Sequence, residues 1–76
     1  MLTAGEVLDA YFLDARCMLL EIAATLDRFD LAEQGDGDPA PDARLQQIYD
    51  SLTLLAQPET TPDRAERLLN LFTDIQ

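Results

Sequence analysis

Little in this sequence reacts: one cysteine, Cys17, with no histidine, no lysine and fifteen carboxylates set against five arginines. Without histidine there is no Ser-His or Cys-His pair to generate a nucleophile. Cys17 sits between Leu13 and Leu20 and close to Ala24 on one helix face; its sequence neighbour Arg16 falls on a polar seam away from that face, so no cation on the strip favours the thiolate. A cysteine in that setting behaves as a small hydrophobe. Asp14 and Glu21 stand seven residues apart on one side of a helix, where carboxylate oxygens would suit a hard divalent ion. Carboxylate-bridged di-iron bundles add Glu-x-x-His pairs to such acids, and this chain has none. One cysteine and no histidine also exclude the common zinc spacings. The plainer reading is that Asp14, Glu21 and Arg28, together with Arg16, form ion pairs within or between chains. The planar guanidinium is the cation best shaped to satisfy such carboxylates bidentately.

The acidic stretch around Asp36, Asp38 and Asp42 invites comparison with a calcium loop. An EF-hand needs an acid or Asn at its fifth position, Gly at the sixth and Glu at the twelfth. Counted from Asp36, those positions hold Ala40, Pro41 and Gln47. The pattern fails, and the stretch reads as a solvated connector ending in a helix cap. No catalytic residue, metal ligand or cofactor is assigned, and the chain is not expected to be an enzyme.

The element that carries most of these side chains is the run from Val7 to Phe29, which has neither Gly nor Pro. At about 100° per residue, Leu8, Tyr11, Phe12, Ala15, Met18, Leu19, Ile22, Leu26 and Phe29 gather on one side as an ordinary core stripe. On the other side Leu13, Cys17, Leu20 and Ala24 follow at i, i+4, i+7 and i+11, a second and narrower apolar strip. Two polar seams separate the faces, one with Asp9, Arg16 and Asp27, the other with Asp14, Glu21 and Arg28. A monomer's surface helix needs one apolar face; a helix with two is sandwiched. Its start is marked by Thr3 and Glu6, a capping box, with Leu2 and Val7 at the staple positions. The helix is expected over about residues 3–32.

An acidic loop over about 33–41 follows, broken by Gly35, Gly37, Pro39 and Pro41. A second helix is expected over about 41–57, its stripe formed by Leu45, Ile48, Tyr49, Leu52, Leu55 and Ala56. Leu54 lies off that stripe, which suggests exposure or a contact between chains. Pro58 ends the helix. Thr61-Pro62 reads as an N-cap with Pro at the first position of a third helix, about 61–75. Ala65, Leu68, Leu69, Phe72 and Ile75 form its stripe, with Leu71 to one side. The short link between the last two helices predicts an antiparallel αα-hairpin. No segment has the period-two pattern of a strand.

Seventy-six residues allow a single domain, and a chain of this size hides only about 60% of its unfolded surface. Small domains usually add disulfides, a metal or oligomerisation. Only oligomerisation is open to this one. A net charge of −10 repels nucleic acid and anionic membrane surfaces. No basic stretch leads an apolar core at the N-terminus, and no apolar run reaches the roughly 18 residues of a membrane span, so a cytoplasmic location is the default expectation.

These features together predict an all-α domain in which a long N-terminal helix packs on a short antiparallel hairpin and completes a helical bundle as a homodimer. The dimer contact is expected along Leu13, Cys17, Leu20 and Ala24. Function would be binding: a small interaction or accessory protein whose partner is its own copy and, beyond that, an unidentified protein. The alternative is an acidic inhibitor that occupies a basic partner in the manner of a DNA mimic. Because net charge opposes compaction and salt screens it, the melting temperature should rise between low and physiological ionic strength. A fall over that range, read by circular dichroism, would contradict this.

Overall fold

The computed structural model describes residues 1–36 and 42–73. Among these residues there are three α-helices and no strand: α1 (Ala4–Asp36), α2 (Ala43–Leu55) and α3 (Arg64–Thr73). The chain divides into two units, Met1–Pro39 and Ala40–Gln76. Residues 37–41 of the expected acidic connector, the expected start of the second helix at Pro41, and Ile75 of the third stripe lie outside the described residues.

The first unit is α1. Its capping box forms as the spacing predicts. The Thr3 N–H donates to Glu6 Oε1 at 3.0 Å, and the Glu6 N–H donates back to Thr3 Oγ1 at 3.2 Å. The Thr3 carbonyl accepts the first helical bond, from the Val7 N–H at 3.0 Å. A cap of this type is worth about 1 kcal/mol, comparable to what Gly5 costs inside the first turn. The bonds from Thr3 hold the Glu6 carboxyl below its ordinary range, the backbone N–H contributing most. Where the pattern suggested an end near residue 32, the helix continues to Asp36. Gly35 is weakly helix-forming but compatible with the α conformation, and the first proline comes only at Pro39.

The second unit is the expected hairpin of α2 and α3. Asp42 caps α2: its backbone is extended, with φ −133° and ψ 115°, and its carboxylate accepts from the Arg44 N–H at 2.9 Å. The Arg44 guanidinium folds back onto the same carboxylate, with Nη2 and Oδ2 2.6 Å apart. This pairing, with the backbone bond second to it, pulls the Asp42 carboxyl down to about 2. At its other end α2 stops as Pro58 requires, the Ala56 N–H donating to the Leu52 carbonyl at 2.9 Å. The third helix begins two residues later than Thr61-Pro62 suggested. Asp63 supplies the first accepting carbonyl, to the Arg67 N–H at 3.0 Å. The Thr61 hydroxyl donates to the Asp63 carboxylate at 2.8 Å. Thr61 therefore buttresses the cap, and Pro62 precedes the helix.

A Gln47 side chain near the start of α2 donates through Nε2 to the Leu71 carbonyl near the end of α3, at 3.0 Å. At the opposite end, Arg64 Nη2 donates to the Gln57 and Pro58 carbonyls at 3.1 and 3.3 Å. These two anchorages give the pair its antiparallel sense. The described side chains with the least solvent exposure are both polar, Gln47 at 7% and Ser51 at 8%. Ser51 meets the requirement that buried hydroxyls be bonded by donating to the Gln47 carbonyl at 2.7 Å.

Leu54, expected to be exposed or to serve a contact between chains, is half-buried within the single chain, as is Leu71. Gln47, Ser51 and Leu54 recur at i, i+4 and i+7 along one flank of the α2 stripe, and the stripe residues Leu45, Ile48, Leu52 and Leu68 are half-buried as well. Tyr49, Leu55, Leu69 and Phe72, all stripe residues, stay exposed. No apolar side chain among the described residues is fully buried, and no helix among them is long and apolar enough to cross a membrane.

The displaced Asp42 carboxyl gives the hairpin a defined pH response. A carboxyl whose value is lowered by folding stabilises the fold above its ordinary value and stops doing so as pH falls through its folded value. Asp42→Asn should therefore lower the melting temperature at pH 6, with the difference from wild type shrinking between about pH 4 and about pH 2. A difference that stays constant over that window would show that the carboxylate does not hold the cap.

Candidate functional site

Helical periodicity sets Leu13, Cys17, Leu20 and Ala24 in one line along α1, and the structure gives them a continuous helix on which to stand. Leu13 is 65% exposed and Leu20 55%. The Cys17 thiol is free and exposed, and Ala24 is half-buried. Two residues that the sequence reading passed over continue the line, Ala10 toward the N-terminus and Leu31 toward the C-terminus, both exposed. The signal that would have found them is the alternation of three- and four-residue steps, carried past both ends of the strip.

The opposite face of α1 is equally open at its N-terminal half. Leu8, Tyr11, Phe12, Met18 and Leu19 are exposed, while Ile22, Leu26 and Phe29 are half-buried. Taken by itself, α1 thus exposes apolar side chains on both faces. A hydrophobic side chain moved out of water gains about 1.5–3 kcal/mol, so this surface is a strong potential source of binding energy.

Beside the strip, the small side chains of Ala24 and Thr25 leave a shallow open groove, lined by Leu20, Glu21, Ala24, Thr25 and Arg28. Thr25 keeps its hydroxyl out of that groove by donating to the Glu21 carbonyl at 2.9 Å. The groove has an aliphatic wall on one side and an acid and a guanidinium on the other. Its shape fits an apolar side chain flanked by charge, the arrangement of a hole in a helix–helix seam.

The four seam residues, Asp14, Glu21, Arg28 and Arg16, are all exposed, as is Asp27. Among the described residues the ion pairs are Arg44 with Asp42 and Arg67 with Asp63 at 3.2 Å. None joins the seam residues to one another, so their charges are available to a partner. No group of three or more potential ligands among the described residues is arranged to hold a metal ion. Sequence reasoning also missed the role of the α3 arginines, which tie down the link between α2 and α3. Arg67 donates to the Thr60 and Thr61 hydroxyls at 3.3 and 3.4 Å, contacts no helical pattern would reveal. Comparison with protein-family models, with curated proteins and with solved structures finds no match to this chain, so the exposed faces of α1 must be interpreted by their own chemistry.

Proposed function

We propose that this protein acts by binding, as a homodimer in which the α1 helices of two copies pack along Leu13, Cys17, Leu20 and Ala24. It serves as a small accessory or interaction module, without catalytic chemistry of its own. The observation that supports this reading is the exposure of two apolar faces on a single helix of 33 residues. Most helical stability in proteins comes from packing of an apolar face rather than from propensity, and the long side chains on α1 cost entropy to order without returning burial. A second copy supplies the missing surface at no cost in new sequence, and a two-fold contact uses the same patch twice. The small residues Cys17 and Ala24 allow the two backbones to approach to the 8–10 Å typical of packed helices.

The second apolar surface, made of Tyr49, Leu55, Leu69 and Phe72 on the hairpin, is a further binding face of the same module. The strong negative charge keeps the assembled protein soluble and repels unrelated acidic proteins.

Light scattering on the purified chain should give twice the 8.5 kDa monomer mass. Leu20→Glu places a charge in the middle of the strip and should abolish the dimer. Gln46→Glu, on the exposed side of α2, should leave it intact. A wild-type chain that stays monomeric up to millimolar concentration would overturn the proposal. So would a Leu20→Glu variant that still dimerises as tightly as wild type. A monomer that captures a basic protein with steep salt dependence would instead support the acidic-inhibitor alternative.

A further inference from the structure

We infer that the second copy of α1 lies antiparallel to the first, crossing near Ile22, so that Asp14 and Arg16 of one helix face Arg28 and Asp30 of the other. The inference rests on the dimer reading and specifies its partner surface: a second copy, held in one direction and one register by charge.

The strip itself sets the frame. Ala10, Leu13, Cys17, Leu20, Ala24, Asp27 and Leu31 follow one another in steps of three and four, the spacing of a coiled-coil seam. Asp27 is the polar member. One flank carries Asp14, Glu21 and Arg28; the other carries Asp9, Arg16, Ala23 and Asp30. Each charged flank residue is exposed in the single chain.

A parallel pair in register brings each seam residue against its own copy. Two Asp27 carboxylates would meet in the seam, where like charges are most costly. Opposite flanks then face each other with an offset of five residues. That sets Asp9 against Asp14, which repel, and Arg16 against Glu21, which attract. The flanks cancel, and the buried acid pair decides against this arrangement.

In an antiparallel pair each flank faces its own equivalent. With the crossing at Ile22, Asp14 meets the partner's Arg28 and Arg16 meets the partner's Asp30, each twice by symmetry. Of the charged flank residues, only Glu21 meets its own copy, once. In the seam, Leu13 lies opposite the partner's Leu31 and Leu20 opposite the partner's Ala24. That last layer sets a large side chain against the groove lined by Leu20, Glu21, Ala24, Thr25 and Arg28. Asp27 lies opposite the partner's Cys17, a neutral neighbour. Shifting the register by one heptad toward the N-terminus puts Asp14 against Glu21 and Leu31 against Glu6. Shifting it the other way leaves Leu13 facing a position beyond the end of α1 at Asp36. One register therefore satisfies both charge and apolar layers.

Direction and register are tested with the full chain. In Cys17→Ala, which keeps the strip small and apolar, Gly5→Cys provides a single site for a nitroxide label. A Cβ at Gly5 meets nothing within 4 Å. At a rise of 1.5 Å per residue, the two labels of the antiparallel dimer should lie roughly 50 Å apart by pulsed electron resonance. A parallel dimer would bring them within about 20 Å, and that result would overturn the inference while leaving the dimer reading in place. A chain of monomer mass in the same sample would instead remove the dimer reading itself. Glu21→Gln separates the two directions independently. It should lower the dimer Kd by about two- to five-fold in the antiparallel pair by removing the Glu21–Glu21 repulsion. A rise in Kd, the result expected when an Arg16–Glu21 attraction is lost, would contradict the antiparallel arrangement.

Discussion

Hydrophobic side chains on opposite sides of α1 govern everything else about this protein. Burial of apolar surface is the dominant favourable term in folding and association, and it must outweigh about 1–2 kcal/mol of backbone entropy for each residue held in the helix. Within its own unit α1 has no such return, because Leu8, Phe12, Leu13, Met18, Leu19 and Leu20 are all exposed. Local devices do not close the gap. The Thr3–Glu6 capping box organises the first turn, yet its contribution is about that of one buried methylene. The proposed second copy would supply the surface that these local devices lack.

The hairpin shows the same economy in a different form. Its tightest contacts are polar: Gln47 reaches across to the Leu71 carbonyl, Ser51 turns its hydroxyl back onto the Gln47 carbonyl, and Arg64 and Arg67 clamp the connecting segment. Hydrogen bonds of this kind fix geometry while contributing only about 1 kcal/mol each. The apolar residues Tyr49, Leu55, Leu69 and Phe72 are held to one side by that framework and stay open. Each unit, taken by itself, therefore presents a helical backbone with apolar side chains that it does not cover.

Local signals in the sequence are decisive where they act within one turn of helix. The Thr3–Glu6 pair, the stop before Pro58 and the antiparallel sense of the hairpin all follow from contacts between near neighbours or from a short link. Signals that depend on competition between residues are weaker guides. Gly35 did not end α1, because glycine only weakens a helix whereas proline blocks it. Pro62 does not open α3: the first helical bond is accepted by the Asp63 carbonyl, while the Asp63 carboxylate takes the Thr61 hydroxyl. Leu54 and Leu71 lie off the apolar stripes, yet both are half-buried together with the stripe residues Leu45, Ile48, Leu52 and Leu68, while Tyr49, Leu55, Leu69 and Phe72 remain exposed. The candidate strip on α1 was legible from spacing alone; its extension to Ala10 and Leu31 and its matched flanking charges needed the full length of the helix to be known.

Hydrogen exchange measured over a range of protein concentrations tests the central claim most directly. If α1 owes its stability to a second copy, its amide protection around Leu13–Ala24 should rise with concentration as the dimer fills, by mass action, while the α2–α3 amides near Gln47 change little. Protection along α1 that is independent of concentration from micromolar to millimolar would contradict the account.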